Sequence, residues 1–525
     1  MTSELCFSSK DGGKTFTRRF FGLEAFLGTI AGANDGFGFF TNTLKVSFRD
    51  KPSDAVLAAA IKTSWIRLRH LAPIIGTKTV VDSSSAASYL YQYRVPSSIA
   101  DAENWADETI IWSKEKNTVR ERDDCLKGHW WKPSDSHHDY ELHVGPDVQD
   151  NVWHFLIIAG HYSVDARSVV QLFGHFLTYL DEQIRGNGID VSTLKWGEET
   201  KRLAPAPVVV ALKAAGLPLS LESPTAPAPP AAAPEQAAPP PPPILFLRSH
   251  REIDPNHPTG QYTSVIWLTE DETSKFRRAC KTHNYTVTQA ITGLMFLAEV
   301  EWVLKRYNDE TEEEAKAELE AYKNSTVIPS LWNIVDQRYK FKQYALHGAE
   351  EGSPALGIDG FPIMLDMNAI RKAVKYDEQS KKVWRDTSQS ALWGVVKAAA
   401  EGYSSTPLTL EGYIEREKGN QKAAVAWDPR GFQIPAFVAS SIGDIDRFGY
   451  LSKFSPRVPA NERSSLVVEE IWQSDRMTEA VRMLMSWQWN GRIAISAQTG
   501  AKYVSQRAMD AFMEILKEWI DTASA

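Results

Sequence analysis

The sequence predicts two lobes of α/β or α+β class that are joined by a linker. Strand and helix patterns are intermixed in both halves of the chain, which is typical of sheets packed against helices. Residues 204–243 hold 13 of the 28 prolines, mixed mostly with alanine. Proline fixes φ and lacks an N–H donor, so this stretch favours an extended spacer. We therefore divide the chain into an N-terminal lobe (1–203), a linker (204–243) and a C-terminal lobe (244–525).

The N-terminal half contains one strand flanked by two amphipathic helices. Ser53 is a suitable cap for a helix that Pro73 would end. The apolar run 152–159 predicts a buried strand, and the residues after it predict a second helix. The apolar faces that indicate these helices are Leu57, Ile61, Trp65 and Leu68 in the first, and Val169, Val170, Phe173, Phe176, Leu177 and Leu180 in the second.

The C-terminal half repeats this alternation. Strands are predicted at 264–269, 437–442 and 492–497, where apolar residues run between turn signals. Helices are expected to begin at Asp271, at Thr286 or Thr288, and after Ser505. The acidic segment 309–320 indicates a solvated helix face.

Composition excludes several classes of function. The 525 residues are 43% hydrophobic and 24% charged, with a net charge of −8, so a basic nucleic-acid-binding face is not expected. The three cysteines are too few and too far apart for a disulfide framework or a thiolate metal site. No His, Cys or Asp group has convincing ligand spacing, so we expect no metal. No apolar run reaches the length of a membrane span or a signal peptide, which predicts a cytoplasmic protein.

An HxxxD spacing occurs three times in the chain, and about one occurrence is expected by chance. The pair His143/Asp147 surrounds a proline that would interrupt a regular strand. His250 follows the proline-rich segment and is expected in a loop. Only His161, with Asp165, stands between a predicted strand and a predicted helix.

This position suits a general base. A strand end holds an imidazole on a rigid support, and the unperturbed pKa of histidine, about 6.5, allows it to take a proton from a hydroxyl. Asp165 could lock the turn, through backbone hydrogen bonds or an arginine, or orient the ring directly. The alternative is a buried structural His161 with Asp165 serving as a helix cap.

The surrounding residues resemble a known superfamily. Residues 160–166 read GHYSVDA and are similar to the HHxxxDG motif of chloramphenicol acetyltransferase, plant BAHD acyltransferases, nonribosomal-peptide condensation domains and fungal trichothecene acetyltransferases. Residues 65–73 resemble the end of that family's first helix. Residues 286–291 resemble the start of a long helix in its second lobe, and 437–444 the strand that faces the catalytic histidine. Gly160 and Ala166 replace the motif's first His and its Gly, and the DFGWG signature of the plant enzymes is absent.

The resemblance, closest to the fungal acetyltransferases of secondary metabolism, implies a fold and an activity. Each lobe would be a mixed sheet flanked by helices, with an active-site tunnel between the two. An acyl-CoA, such as acetyl-CoA, would be the co-substrate, and no cofactor would be bound permanently. His161 would deprotonate a hydroxyl of a small hydrophobic metabolite. Asp165 would form an internal salt bridge with an arginine, Arg447 being one of many choices.

Further residues follow from their positions in this resemblance. Ser440, Ser441 or the N–H of Gly443 would stabilise the tetrahedral oxyanion, although serines at a strand end also serve as turn residues. The phosphates of CoA need cations near the tunnel mouth, and a candidate set precedes the facing strand. This set is Lys418, Lys422 and Arg430.

Two other functions remain open at the level of sequence. A condensation-type enzyme would use the same histidine with a carrier-protein thioester, and no carrier segment is attached here, although a carrier could act in trans. A repurposed member of the fold could bind or cyclise a metabolite without acyl transfer. A monomer is the default for this family.

Overall fold

The computed structural model describes residues 2–50, 52–82, 89–126, 128–218, 244–246, 251–307, 309–340, 356–428, 437–459 and 464–525. The strands in these residues are β1 (Ser8–Ser9), β2 (Thr15–Arg19), β3 (Phe39–Phe48), β4 (Thr77–Val81), β5 (Tyr89–Arg94), β6 (Ile110–Trp112), β7 (Tyr140–Pro146), β8 (Val152–Gly160), β9 (Gln261–Trp267), β10 (Val327–Asp336), β11 (Ile358–Asp366), β12 (Val374–Asp377), β13 (Lys382–Arg385), β14 (Phe437–Asp444), β15 (Leu466–Asp475), β16 (Arg482–Trp489) and β17 (Arg492–Gly500).

The α-helices in the same residues are α1 (Leu23–Ala33), α2 (Asp54–Leu71), α3 (Ile99–Thr109), α4 (Val119–Leu126), α5 (Ala166–Ile184), α6 (Pro207–Ala214), α7 (Glu270–Thr282), α8 (Val287–Leu304), α9 (Glu312–Asn324), α10 (Met367–Ala373), α11 (Gln389–Ser405), α12 (Leu410–Val425) and α13 (Gln506–Ser524).

Two mixed sheets form the centres of the two lobes. The N-terminal sheet has the order β15-β3-β8-β7-β6, and the C-terminal sheet has the order β11-β10-β14-β16-β17-β9. Helices α2 and α5 pack together in the N-terminal lobe, while α8 packs against α11 and α13 in the C-terminal lobe. Each sheet thus has helical partners over a large apolar core. The predicted fold class, two lobes of mixed sheet and helix, is confirmed.

Most of the expected elements occur where the sequence placed them. Ser53 caps α2 by accepting a hydrogen bond from the Val56 N–H, and Ser505 caps α13 in the same way. Thr286, rather than Thr288, caps α8 through a reciprocal capping box. The acidic segment forms α9, whose glutamates are mostly exposed. These signals are local, because a cap needs only its own first turn.

The His143 region differs from the expectation. β7 continues through His143 as far as Pro146, which pairs with Trp153 of β8. Pro146 is the last residue of the strand, where its carbonyl still accepts hydrogen bonds and its missing N–H has least effect.

One strand of the N-terminal sheet comes from the C-terminal half of the chain. β15 pairs antiparallel with β3, so that Asp475 lies opposite Phe40. Its neighbours in sequence, β14 and β16, belong to the other sheet. The C-terminal half therefore contributes a strand to the N-terminal sheet, and a boundary drawn at the proline-rich segment does not separate the lobes completely.

The beginning of the predicted linker is folded. Pro207 starts α6, where its fixed φ suits the first turn and its missing N–H is not needed. The run Val208, Val209 and Val210 is buried in a small core together with Tyr413 and Ile414 of α12. Residues 204–214 thus pack as part of the protein, against our expectation of an extended spacer, because the valines outweigh the flanking prolines. The rest of the proline-rich segment, 219–243, lies outside the described residues.

Helix α8 is long and apolar enough to cross a membrane by length and composition, but 83% of that window is buried within the protein. It is the central helix of the C-terminal core.

Candidate active site

His161 lies in the short connection between β8 and α5. Its Nδ1 is 2.6 Å from the carbonyl oxygen of Val164. A carbonyl oxygen can only accept, so Nδ1 carries the proton and the neutral ring has its lone pair on Nε2. The ring is half-buried and lines a cavity. The backbone therefore sets the tautomer that a general base needs, without help from a carboxylate.

Gly160 occupies the first histidine position of the motif for a steric reason. A Cβ atom at Gly160 would lie 2.1 Å from the ring of Tyr162. Tyr162 is fully buried and donates to Oδ1 of Asp139 at 3.2 Å. The tyrosine ring thus fills the space that a side chain at 160 would need.

Asp165 holds the two lobes together and does not contact His161 through any observed hydrogen bond. Its Oδ1 accepts from the Ser168 N–H at 3.0 Å, as the cap of α5. Its Oδ2 accepts from the Gly357 N–H at 2.9 Å and forms an ion pair with Arg338. Burial alone would raise the pKa of Asp165, but Arg338 and these N–H groups bring it below the ordinary value. The expected salt bridge is present, and Arg338 is its arginine.

Arg447, the arginine considered from sequence, pairs instead with Asp444 at the surface. Arg338 carries no local signal, because it follows β10 in the other lobe and reaches Asp165 only in the folded protein.

The His161 cavity lies between the two sheets. About 1210 Å³ of space lies free of atoms here, part of it open to solvent at the mouth. Residues from both lobes line it, and most are apolar. They include Leu23, Leu27, Phe37 and Phe40 from the N-terminal lobe, Trp332, Ile334, Val438, Met483 and Met485 from the C-terminal sheet, and Met477.

The three candidate oxyanion donors have different surroundings. Ser440 and Ser441, at the end of β14, both line the His161 cavity. The Ser441 hydroxyl shares a 2.7 Å hydrogen bond with that of Thr288. Gly443 follows an irregularity in the β14–β16 pairing and has a φ of +95°. It lines a neighbouring cavity rather than that of His161.

That second cavity meets the first at Ser441, which lines both. It is bounded by the first turn of α8 and by Arg277, which donates to Gln488 at 2.9 Å. Beyond Arg277 the surface between α7 and α8 continues with Arg278 and Lys281. An apolar cavity that holds the histidine and a more polar cavity with cations at its edge thus adjoin each other.

The lysines proposed from sequence for CoA lie elsewhere. Lys418 is on α12 and pairs with Glu415 at 2.8 Å. Lys422 is exposed on the same helix. Neither is among the residues that line the two adjoining cavities, and Arg430 lies outside the described residues.

Sequence reasoning missed further ionisable groups that line the cavity, among them Arg167, Asp336 and Asp475. Asp475, the last residue of β15, is 3% exposed and lines the His161 cavity. Its Oδ1 has no hydrogen-bond partner among the described residues. Burial raises the pKa of Asp475 to about 6, and the nearby His161 limits that rise. No local pattern marks Asp475, because it reaches the site only where β15 crosses to the N-terminal sheet and pairs with β3.

The fold has close counterparts among solved structures. The TRI3 trichothecene 15-O-acetyltransferase from Fusarium sporotrichioides aligns with a TM-score of 0.71 and 13% identity, over 100% of this chain and 98% of that one. The polyketide synthase associated protein 5 from Mycobacterium tuberculosis aligns with a TM-score of 0.53 and 10% identity, over 97% of both chains. The first condensation domain of the calcium-dependent antibiotic synthetase gives 0.54 and 10%, again over 97% of both.

No family model matches the sequence, and no curated protein matches it by sequence. At these identities the structural alignments establish the fold. The chain has the two-lobed fold shared by CoA-dependent acyltransferases and condensation domains, as the sequence resemblance implied.

Proposed function

We propose that the protein is an acyl-CoA-dependent O-acyltransferase that acylates a hydroxyl of a small, largely apolar molecule, most simply with an acetyl group. The observation that carries the proposal is His161 itself. Its proton is held on Nδ1 by a backbone carbonyl, and its ring lines a mostly apolar cavity between the lobes. A base with this tautomer can accept a proton only at Nε2.

The proposed reaction has two steps, attack on the thioester and collapse of the tetrahedral intermediate. Nε2 of His161 takes the proton of the acceptor hydroxyl as its oxygen attacks the thioester carbonyl carbon. The resulting oxyanion accepts a hydrogen bond from Ser440, which lines the cavity. Collapse breaks the carbon–sulfur bond, and the CoA thiolate takes the proton back from His161. The products are an ester and free CoA.

We assign the two substrates to the two adjoining cavities. The apolar cavity suits the acceptor. The second cavity, with Arg277 at its edge and Arg278 and Lys281 on the adjoining surface, suits the pantetheine arm and the phosphates, because guanidinium and ammonium groups bind phosphate oxygens. Ser441 lies where the two substrates would meet.

Asp475 suggests which second polar group the acceptor carries. A buried carboxylate oxygen without a donor is unfavourable unless a ligand supplies one. We therefore propose that the acceptor carries a second hydroxyl or an amine that donates to Asp475 while the reacting hydroxyl faces His161.

The test measures thiol release from acetyl-CoA and longer acyl-CoAs with a panel of alcohols, diols and amino alcohols, with products identified by mass spectrometry. We expect wild-type protein to acylate some of these acceptors and His161→Gln to lower turnover by about 10²–10⁴-fold. His257→Ala, outside both cavities, serves as the matched control and should retain full activity.

A His161→Gln protein that is folded and keeps most of its turnover would contradict the assignment of the base. Acylation from a carrier-protein thioester, without any from acyl-CoA, would favour the condensation-type alternative. Binding of acceptors with no transfer from either donor would favour a repurposed scaffold.

A further inference from the structure

Three histidines converge on one buried glutamate away from the His161 cavity. Glu141 and His143 are two residues apart on β7 and so share a face of the sheet. His129 and His137 belong to the connection between α4 and β7. Nε2 of His129 and of His143 lie 2.6 and 2.7 Å from Oε2 of Glu141, and Nε2 of His137 lies 3.2 Å from Oε1. These four residues are called the histidine cluster below.

The donor atoms match those of a transition-metal site. The ligand atoms of His129, Glu141 and His143 all lie within 4.8 Å of one another. Imidazole nitrogens with one carboxylate oxygen are a common set for Zn²⁺, and ligand distances near 2.1 Å place tetrahedral donors about 3.4 Å apart. The two shortest nitrogen–oxygen separations in the cluster would therefore lengthen by roughly 0.7 Å to admit the ion.

His137 faces the other oxygen of Glu141, outside the trio of closely spaced ligand atoms. Its Nδ1 lies 2.8 Å from the carbonyl oxygen of His138, so Nδ1 donates and the neutral ring directs the Nε2 lone pair at Glu141. Two lone pairs facing each other at 3.2 Å are repulsive unless a cation, either a proton or a metal ion, lies at this point. The ring is also stacked on Trp131, with 4.3 Å between centroids.

The cluster combines a buried anion with an accessible rim. The Glu141 side chain is 3% exposed, whereas that of His129 is 40% exposed. An ion from solvent can therefore reach a carboxylate in a region of low dielectric, where its attraction to a cation is strong.

We propose that the histidine cluster binds one divalent transition-metal ion of the Zn²⁺ type, which fixes the α4–β7 connection to the outer face of the N-terminal sheet. Trp131, in that connection, packs edge-on against Phe39 at 4.8 Å. Phe39 is paired with Gly160, the residue before His161. The ion would thus stiffen the support behind the candidate active site without contacting either substrate.

The experiment uses the full chain without a histidine tag, stripped with a chelator and then titrated with Zn²⁺ by calorimetry. Metal content after gel filtration and the Tm are measured in parallel. We expect one Zn²⁺ per chain, a Kd of about 1 µM or tighter, and a raised Tm. Glu141→Gln and His143→Asn should each weaken binding by about tenfold or more.

Two further variants keep the test decisive if those proteins fold poorly. His129→Ala, at the exposed rim, should lower the Tm of the metal-free protein less than Glu141→Gln does, while weakening Zn²⁺ binding about tenfold. His257→Ala, outside the cluster, should bind as wild type does. The proposal is overturned if no stoichiometric Zn²⁺ is retained, or if Glu141→Gln and His129→Ala bind it as tightly as wild type. Neither readout depends on acyl transfer, so the two proposals can fail separately.

Discussion

Asp165 and Asp475 are buried carboxylates that line the same cavity, and their surroundings are opposite. Asp165 receives two backbone N–H groups and the Arg338 guanidinium, so its pKa falls below the ordinary value. Asp475 has one oxygen without any observed donor, and burial raises its pKa to about 6. The comparison teaches that a carboxylate with all its partners supplied by the protein is structural, whereas one left unpartnered in a cavity is available to a ligand.

The largest loss of stability should come from breaking the ion pair between Asp165 and Arg338. Asp165→Ala removes one partner of a buried ion pair, and we expect it to lower the free energy of unfolding by about 3–5 kcal/mol. Asp336→Ala is the comparison variant, because Asp336 contacts the same arginine at 3.0 Å and also pairs with Arg167 but is 26% exposed. Its loss should be smaller, about 1 kcal/mol or less for each pair. Chemical denaturation of both variants at pH 7 measures the difference.

The pH dependence of this pair has a definite sign. The pKa of Asp165 is lower in the folded protein, so its stabilisation is complete above the pKa of an unfolded aspartate, about 3.9, and is lost as the pH falls further. The stability gap between wild type and Asp165→Ala should therefore narrow on acidification. Equal losses for Asp165→Ala and Asp336→Ala at neutral pH would show that the buried Asp165 contributes no more stability than the partly exposed Asp336.

The contribution of Asp475 to the free energy of unfolding should change with pH in a way opposite to that of Asp165. Its pKa rises from 3.8 to about 6 on folding, so the ionised form is disfavoured by roughly 3 kcal/mol. This destabilisation is absent below pH 3.8 and grows as the pH rises through 6. Asp475→Asn cannot ionise, so we expect it to unfold with a higher free energy than wild type at pH 7.5 and to lose that advantage near pH 4.

A matched control separates a missing partner from burial alone. Asp139 also has a pKa raised to about 6 by burial, but its oxygens accept from Thr77, Thr79 and Tyr162. Asp139→Asn should not gain stability, because it disturbs three existing hydrogen bonds. If Asp475→Asn is also no more stable than wild type at pH 7.5, the carboxylate has a partner in solution that the structure does not show. Thiol-release assays should show reduced use of diols and amino alcohols by this variant.

The smallest effect we predict is a change in KM for acyl-CoA when cations near the second cavity are removed. Arg278→Ala with Lys281→Ala removes two cations near the second cavity, and we expect KM for acyl-CoA to rise about five- to tenfold with little change in kcat. Lys418→Ala with Lys422→Ala is the matched pair on α12. A larger rise in KM from the α12 pair would return the CoA phosphates to the site that sequence alone proposed.

The position of the candidate base was predictable because its evidence is local. His161 stands directly after an apolar strand and before an amphipathic helix, and the same few residues contain the carbonyl of Val164 that sets its tautomer. Caps such as Ser53 and Thr286 were predictable for the same reason. Proline content was a weaker guide, since Val208–Val210 turned the start of the expected spacer into a buried helix.

The partners of the site could not be predicted in this way. Arg338 is 173 residues from Asp165, and Asp475 arrives on a strand that crosses from one lobe to the other. The histidine cluster depends on a connection folding back over β7, which no ligand spacing in the sequence indicated.

By itself the sequence determined the periodic faces, the caps and one histidine at a strand end, because each depends on residues within a few positions of one another. Tertiary structure alone decided which arginine pairs with Asp165, that Asp475 faces the cavity and where the cations beside the second cavity lie. Those relations depend on how β15 crosses to the N-terminal sheet and how the two sheets close over a common space, and contact across such distances leaves no pattern along the chain.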